Sequence, residues 1–208
     1  MARCKCYELQ KAKKMWDAAG IDTEQAKQTF GTYITWNKSS IQAKETAAKY
    51  YKNFESIRTE RNNSIAFIGQ VGSGKTHLSI ALAVNFLKKD IAVVYMAYRD
   101  VITKLKQNMI DEEYYQKELS KYKNAKILLI DDLFKGKVTE SDINIMFEII
   151  NHRYLNHSPI IVSSEFSADK LLDFDEAVGS RILQMCKNYT VQIEGRENNY
   201  RLKGIVNA

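Results

Sequence analysis

The sequence predicts an α/β fold in which a five-stranded parallel sheet is flanked by helices. Five short apolar runs carry most of that prediction: SIAFIG at 64–69, IAVVYMA at 91–97, KILLID at 126–131, PIIVSS at 159–164 and YTVQI at 189–193. All five are read as strands covered on both faces, as runs without in-out alternation are, although YTVQI does alternate apolar with polar residues. Between the runs lie segments long enough for crossover helices, at 75–88, 99–122 as a broken pair, 141–156 and 174–187. Such β-α alternation builds a parallel sheet. The third observation is a glycine-rich octapeptide that joins the first run to the first of those helices. Pro159, the single proline, stands where a strand should begin.

The first sixty residues have a different texture, rich in Lys, Ala, Gln and Thr with scattered large apolar residues, and read as a helical appendage (1–60) before the α/β domain (61–208). Helices are predicted at 6–19 and 40–56, the second behind the capping candidates Ser39 and Ser40, with FGTYITW between them extended. A chain of 208 residues with 45% apolar composition suits one domain plus an appendage. No apolar run approaches the roughly 20 residues of a membrane span, and MARCKCYELQ has no hydrophobic signal core, so a cytoplasmic protein without a membrane partner is expected. Three cysteines, Cys4, Cys6 and Cys186, fit a reducing compartment better than a disulfide framework. A net charge of +6 favours polyanionic partners, nucleic acid among them.

Gly69-Gln70-Val71-Gly72-Ser73-Gly74-Lys75-Thr76 fits G-x-x-x-x-G-K-[ST] in the confirming context, after a strand and before a helix. Glycines let the backbone curl until successive N–H groups face phosphate oxygens, and the helix start adds the positive end of its dipole. Lys75 should reach the β- and γ-phosphates of ATP, Thr76 should offer its hydroxyl to Mg²⁺, and His77 is grouped with the nucleotide-binding residues. The run Ile127-Leu128-Leu129-Ile130-Asp131-Asp132 supplies the second half of the site, a buried strand ending in two carboxylates where parallel sheets bind ligands. Asp131 is expected to hold Mg²⁺ through water. Asp132 stands where many ATPases place a glutamate that orients or deprotonates the attacking water, and its shorter reach predicts slow hydrolysis until a partner adjusts the site. No N-K-x-D element for reading guanine occurs.

These motifs, with LLIDDLF at 128–134, MFEIINHRY at 146–154, PIIVSSE at 159–165 and VGSRILQM at 178–185, resemble the AAA+ ATPase domain of replicative helicase loaders of the DnaC/DnaI type and the related IstB-like transposition ATPases. Upstream, Ala19-Gly20-Ile21 and Thr29-Phe30-Gly31-Thr32-Tyr33 are similar to the linker that precedes the ATPase core in such loaders. The resemblance implies an oligomer in which ATP sits between neighbours and an arginine of one subunit touches the γ-phosphate held by the next. Arg181 matches that finger, and arginine suits it by staying charged and forking onto phosphate. A polar sensor ends the fourth strand in AAA+ proteins, but Ser163-Ser164-Glu165 stands here. Either Ser164 takes the role or the sensor differs, because an inward Glu165 would repel the γ-phosphate. Arg201 resembles a second sensor arginine, with Arg196 as competitor and a plain solvated tail as the third reading, and the short stretch after the last strand implies a reduced or absent helical lid. Arg153 either faces a neighbouring subunit or braces its own helix.

Implied partners are a replicative hexameric helicase, single-stranded DNA and further copies of the chain joined through ATP interfaces. Tyr98, Arg99, Lys104 and Lys106 lie in the segment 98–124, where loaders of this type carry DNA-contacting helices, although a lysine-rich helix face also serves simply as a solvated surface. Lys49-Tyr50-Tyr51-Lys52 reads as a snorkelling helix with two buried rings. Cys4 and Cys6 supply half of a zinc site at most, so either Met1 to Tyr7 is the tail of a zinc-bearing N-terminal domain or these are two ordinary thiols. The leading expectation is a helicase loader. An IstB-like ATPase acting with a transposase on duplex DNA is the alternative, and a metabolic kinase is disfavoured by the missing arginine-rich lid.

Overall fold

The structure is a computed structural model that describes residues 5–204, with side chains from residue 12 onward. The expectations about Cys4 and Cys6 fall outside those side chains. Five strands, β1 (Ile65–Gly69), β2 (Val93–Ala97), β3 (Ile127–Leu133), β4 (Ile160–Ser164) and β5 (Thr190–Ile193), form one sheet in the order β2-β3-β4-β1-β5. Every pairing is parallel. The helices are α1 (Lys5–Ala19), α2 (Lys38–Ile57), α3 (Lys75–Lys88), α4 (Tyr98–Gln107), α5 (Glu112–Lys123), α6 (Glu140–Leu155), α7 (Ala168–Phe174) and α8 (Glu176–Met185).

Strand parity explains the unbroken apolar runs. Ile65, Phe67, Ile127, Leu129 and Ile161 enter one apolar cluster with α2 and α3, whereas Ala66, Ile68, Leu128, Ile130, Ile160 and Val162 enter a second with α4 to α8. The edge strand β5 departs from expectation, for Val191 and Ile193 are buried while Thr190 and Gln192 face solvent. The segment read as an appendage contributes to the first cluster. On α2, Ala43, Ala47, Tyr50 and Phe54 recur at helical spacing and pack among Phe86 and Tyr189, and the Tyr50 hydroxyl donates to the Asn63 carbonyl at 2.9 Å. Of the tyrosine pair, Tyr50 is fully buried and Tyr51 partly so, its hydroxyl donating to the Asn85 carbonyl.

Several boundaries are corrected. Helix α2 starts behind Asn37, not behind Ser39 or Ser40; the Asn37 side chain accepts from the Ser40 amide while the Ser40 hydroxyl accepts from the Asn37 amide, a reciprocal capping box. FGTYITW forms a turn and an irregular segment outside the sheet. The helix predicted over 174–187 is broken at Asp175, which ends α7 in an extended conformation and caps α8 through the Val178 amide. Strand β3 runs past the two aspartates to Leu133, with a register irregularity between Ile130 and Leu133. After β5 the described chain makes only two short 3-10 turns, Arg196–Asn198 and Tyr200–Leu202. No helix among the described residues is long and apolar enough to cross a membrane.

Candidate functional site

The loop after β1 leaves the carboxyl edge of the sheet, and only glycine tolerates its path. Gly69 has φ +99°, and a Cβ there would stand 2.2 Å from the Ile193 carbonyl oxygen; Gly72 and Gly74 are also left-handed. The amides of Val71 to His77 donate to no acceptor among the described residues, and α3 begins at Lys75 with no side-chain cap. Those residues line a cleft of about 540 Å³. An uncapped helix start beside a row of unused N–H groups is an anion site, and triphosphate oxygens satisfy both. Lys75 is buried at the floor, its Nζ donating to the carbonyls of Gly69 at 2.8 Å and Gln70 at 2.6 Å. Burial pushes its pKa down to about 8, against the charges of Glu165, Asp132 and Asp131, which favour the ammonium.

Opposite the loop, three hydroxyls converge on Asp131. Thr76 Oγ1 donates to Oδ1 at 2.9 Å, Ser163 Oγ donates to the same oxygen, and the Tyr95 hydroxyl donates to Oδ2 at 3.1 Å. Burial and the neighbouring Asp131 charge hold the Tyr95 phenol above its ordinary range, so it remains a donor. Among the described residues no three His, Cys, Asp or Glu side chains form a metal cage. Mg²⁺ in nucleotide sites needs none, being held by one or two protein oxygens with waters and phosphates, and the Thr76–Asp131 pair fits that donor set.

Asp132 adopts φ +55°, its amide donates to Ser163 Oγ at 2.9 Å, and Lys135 Nζ pairs with its Oδ2 at 2.8 Å. Ser163 thus bridges both aspartates. Of the two possibilities left open for the sensor, Ser164 does not face Asp131: its hydroxyl donates to the Leu133 carbonyl and accepts from the Phe166 amide. Glu165 does face the cleft, 3.1 Å from Lys135.

Of the remaining expected residues, Arg201 lines the cleft, and the His77 Nε2 sits 3.0 Å from the Thr29 carbonyl and 3.3 Å from Thr32 Oγ1. Burial lowers the His77 pKa, favouring neutral imidazole. Arg181 is apart from all of these on α8: its Nε donates to Asn151 Oδ1, one terminal nitrogen donates to the Ala177 carbonyl, and its guanidinium lies over Phe147 and Tyr154. Arg153 braces its own subunit. Fully buried, it donates to the carbonyls of Tyr122, Lys123, Ala125 and Pro159. The proposed DNA-contacting side chains are engaged within the chain, Tyr98 buried, Arg99 on the Lys137 carbonyl, Lys104 on Glu118 and Lys106 on Asp142.

The sequence did not reveal the walls of the cleft. Tyr33 packs against Gly74, where a Cβ would stand 2.7 Å from its ring, and lies edge-on to His77. From the other end of the chain, the Tyr200 amide donates to the Gly72 carbonyl at 3.0 Å and its ring meets Trp36. Asn37 and Asn198 join linker to tail by a 2.7 Å hydrogen bond. An FGTYITW segment rich in aromatics was the available signal, but nothing local in it points to a loop forty residues away.

The family described as IstB-like ATP binding protein matches residues 31–208. Protein YqaM of Bacillus subtilis (strain 168), described as uncharacterized, is 40% identical over 210 residues, covering 96% of this chain and 66% of YqaM. The phage-like element PBSX protein XkdC of the same organism is 37% identical over 212 residues, covering 97% of this chain and 79% of XkdC. The chain therefore spans about two thirds to four fifths of these two relatives. Among solved structures, that of the DnaC helicase loader superposes with a TM-score of 0.70 at 25% identity, over 83% of this chain and 100% of that one. With the phosphate loop, the paired aspartates and the parallel sheet all in place, the chain belongs to the IstB-like ATP-binding protein family and is built as an AAA+ ATPase domain.

Proposed function

We propose that the chain is an ATP-dependent loader of a replicative hexameric helicase onto single-stranded DNA, acting in the cytoplasm and coupling ATP binding and hydrolysis to subunit assembly and helicase release. The observation that carries this reading is the superposition on the DnaC helicase loader along that chain's whole length. In this reading residues 1–60 are a linker feeding the ATPase domain of 61–208. The free amides of Val71 to Thr76 cradle the triphosphate, and Lys75 exchanges its two carbonyl partners for phosphate oxygens. Thr76 and Asp131 hold Mg²⁺, which when bound offsets phosphate charge and polarises the γ-phosphoryl group. Asp132 orients the attacking water. Arg181, on α8 and apart from its own cleft, is assigned to the γ-phosphate held by a neighbouring subunit.

Binding energy becomes conformational work only when ATP favours one assembly state over another. The test is steady-state hydrolysis by the purified protein with single-stranded DNA and helicase added. Stimulation that Lys75→Ala abolishes is expected, and hydrolysis indifferent to both additions would refute the loader reading. The family match favours one alternative, an IstB-like targeting ATPase that works with a transposase. Stimulation by duplex rather than single-stranded DNA would select it.

A further inference from the structure

The carboxyl end of β4 presents the candidate phosphate site with a carboxylate, Glu165, where a γ-phosphate would be repelled, and the structure pairs that carboxylate with a lysine. Lys135 Nζ lies 3.1 Å from Glu165 Oε1 and 2.8 Å from Asp132 Oδ2, and all three residues line the cleft with the phosphate loop. The position of Lys135 is built by the backbone. Asp132 and Phe134 both take left-handed conformations, φ +55° and +60°, which non-glycine residues adopt at a cost and keep only when their surroundings enforce it. Here the enforcement is visible: Ser163 Oγ accepts from the Asp132 amide, Phe134 is fully buried among Tyr98, Phe166 and Phe174, and the Lys135 amide returns to the Asp132 carbonyl at 3.1 Å. The double bend folds residue 135 back over residue 132.

We infer that Lys135, held by Glu165, is a positioning residue that distinguishes ATP from ADP. Its ammonium makes the Asp132–Glu165 side of the cleft admissible to the γ-phosphate, in the place where AAA+ proteins use a neutral polar sensor. The charge arrangement supports this assignment: Lys135 is the direct ion-pair partner of both carboxylates, which Lys75 meets only through space, so deleting Lys135 makes that side of the cleft more negative next to the incoming phosphate. ADP lacks the phosphoryl group that meets it. The pair acts on the ground state of binding and breaks no bond.

The inference rests on the proposal that this cleft binds ATP, and equilibrium titration of the full chain with Mg·ATP and Mg·ADP separates the two. For Lys135→Met, a rise of about tenfold or more in Kd for Mg·ATP is expected, against less than about twofold for Mg·ADP. Adding Glu165→Gln to Lys135→Met should recover at least about threefold of the lost Mg·ATP affinity, because one of the two repelling carboxylates is gone while Asp132 remains. Lys135→Arg should keep the preference for ATP. The Lys135 side chain is half-exposed, so its loss leaves the core intact, and thermal unfolding checks this. Equal weakening of both nucleotides, or no recovery in the double variant, overturns the role of Lys135. Failure of the unaltered chain to bind either nucleotide overturns the cleft assignment instead.

Discussion

The clearest consequence of the buried lysine is a pH dependence of nucleotide binding. In the nucleotide-free cleft, desolvation brings the Lys75 pKa down from 10.5 to about 8, with Glu165, Asp132 and Asp131 opposing the shift. Only the ammonium form binds phosphate well, so ATP selects protonated lysine and holds its proton more tightly than the free protein does. The sign follows: above the free-state value binding takes up a proton, and affinity falls as pH rises. A group with that pKa is about nine-tenths charged at about pH 7 and about one-tenth charged at about pH 9, so Kd should rise roughly tenfold over that interval. Below about pH 7 the lysine contribution is flat. Calorimetry in two buffers of different ionisation enthalpy should register uptake approaching one proton at about pH 9. Lys75→Met should bind weakly with no such slope, which separates the lysine from titration of the nucleotide itself. A Kd unchanged from about pH 7 to about pH 9, or the same slope in Lys75→Met, would refute the buried-lysine assignment.

Three further outcomes follow from the geometry. If Arg181 is the proposed finger, replacing it with Ala should lower DNA-stimulated hydrolysis on the order of a hundredfold or more, and mixing that variant with Lys75→Ala subunits should restore part of the activity, because in the proposed oligomer finger and phosphate loop come from different copies. Arg153→Met strips donors from four carbonyls in the core, with an expected loss of at least about 3 kcal/mol in chemical denaturation. Arg153→Lys should recover little of it, since an ammonium cannot reproduce the fork. Gly69→Ala forces a Cβ to 2.2 Å from the Ile193 carbonyl oxygen at a left-handed φ, so a drop of more than about 2 kcal/mol and disturbed pairing of β1 with β5 are expected in hydrogen exchange.

What the sequence made legible was whatever local chemistry dictates. The first four apolar runs became strands near their expected positions because each feeds alternate side chains to two separate apolar layers, which leaves few polar residues to break the run. The phosphate loop was legible because few backbones need glycine at three such spacings. Contacts set by register were not. Whether Ser163 or Ser164 meets Asp131 depends on β4 pairing with a strand that slips between Ile130 and Leu133, a slip with no signature in LLIDDLF. Tyr33 and Tyr200 reach the phosphate loop across long sequence separations, from a linker and a tail whose own patterning is weak. The missed cap of α2 is different in kind, for Asn37 and Ser40 already had capping-box spacing in the sequence.

The unsatisfied amides of the phosphate loop and Lys75, with Thr76 facing Asp131 across the cleft, form the proposed seat for Mg·ATP. Isothermal titration of Mg·ATP into the folded chain, run beside Asp131→Asn and Lys75→Met, tests it directly. One nucleotide per chain is expected, with magnesium enhancement lost in Asp131→Asn and binding reduced on the order of a hundredfold in Lys75→Met. Binding that survives both substitutions unchanged, or no heat from the unaltered protein, would contradict it.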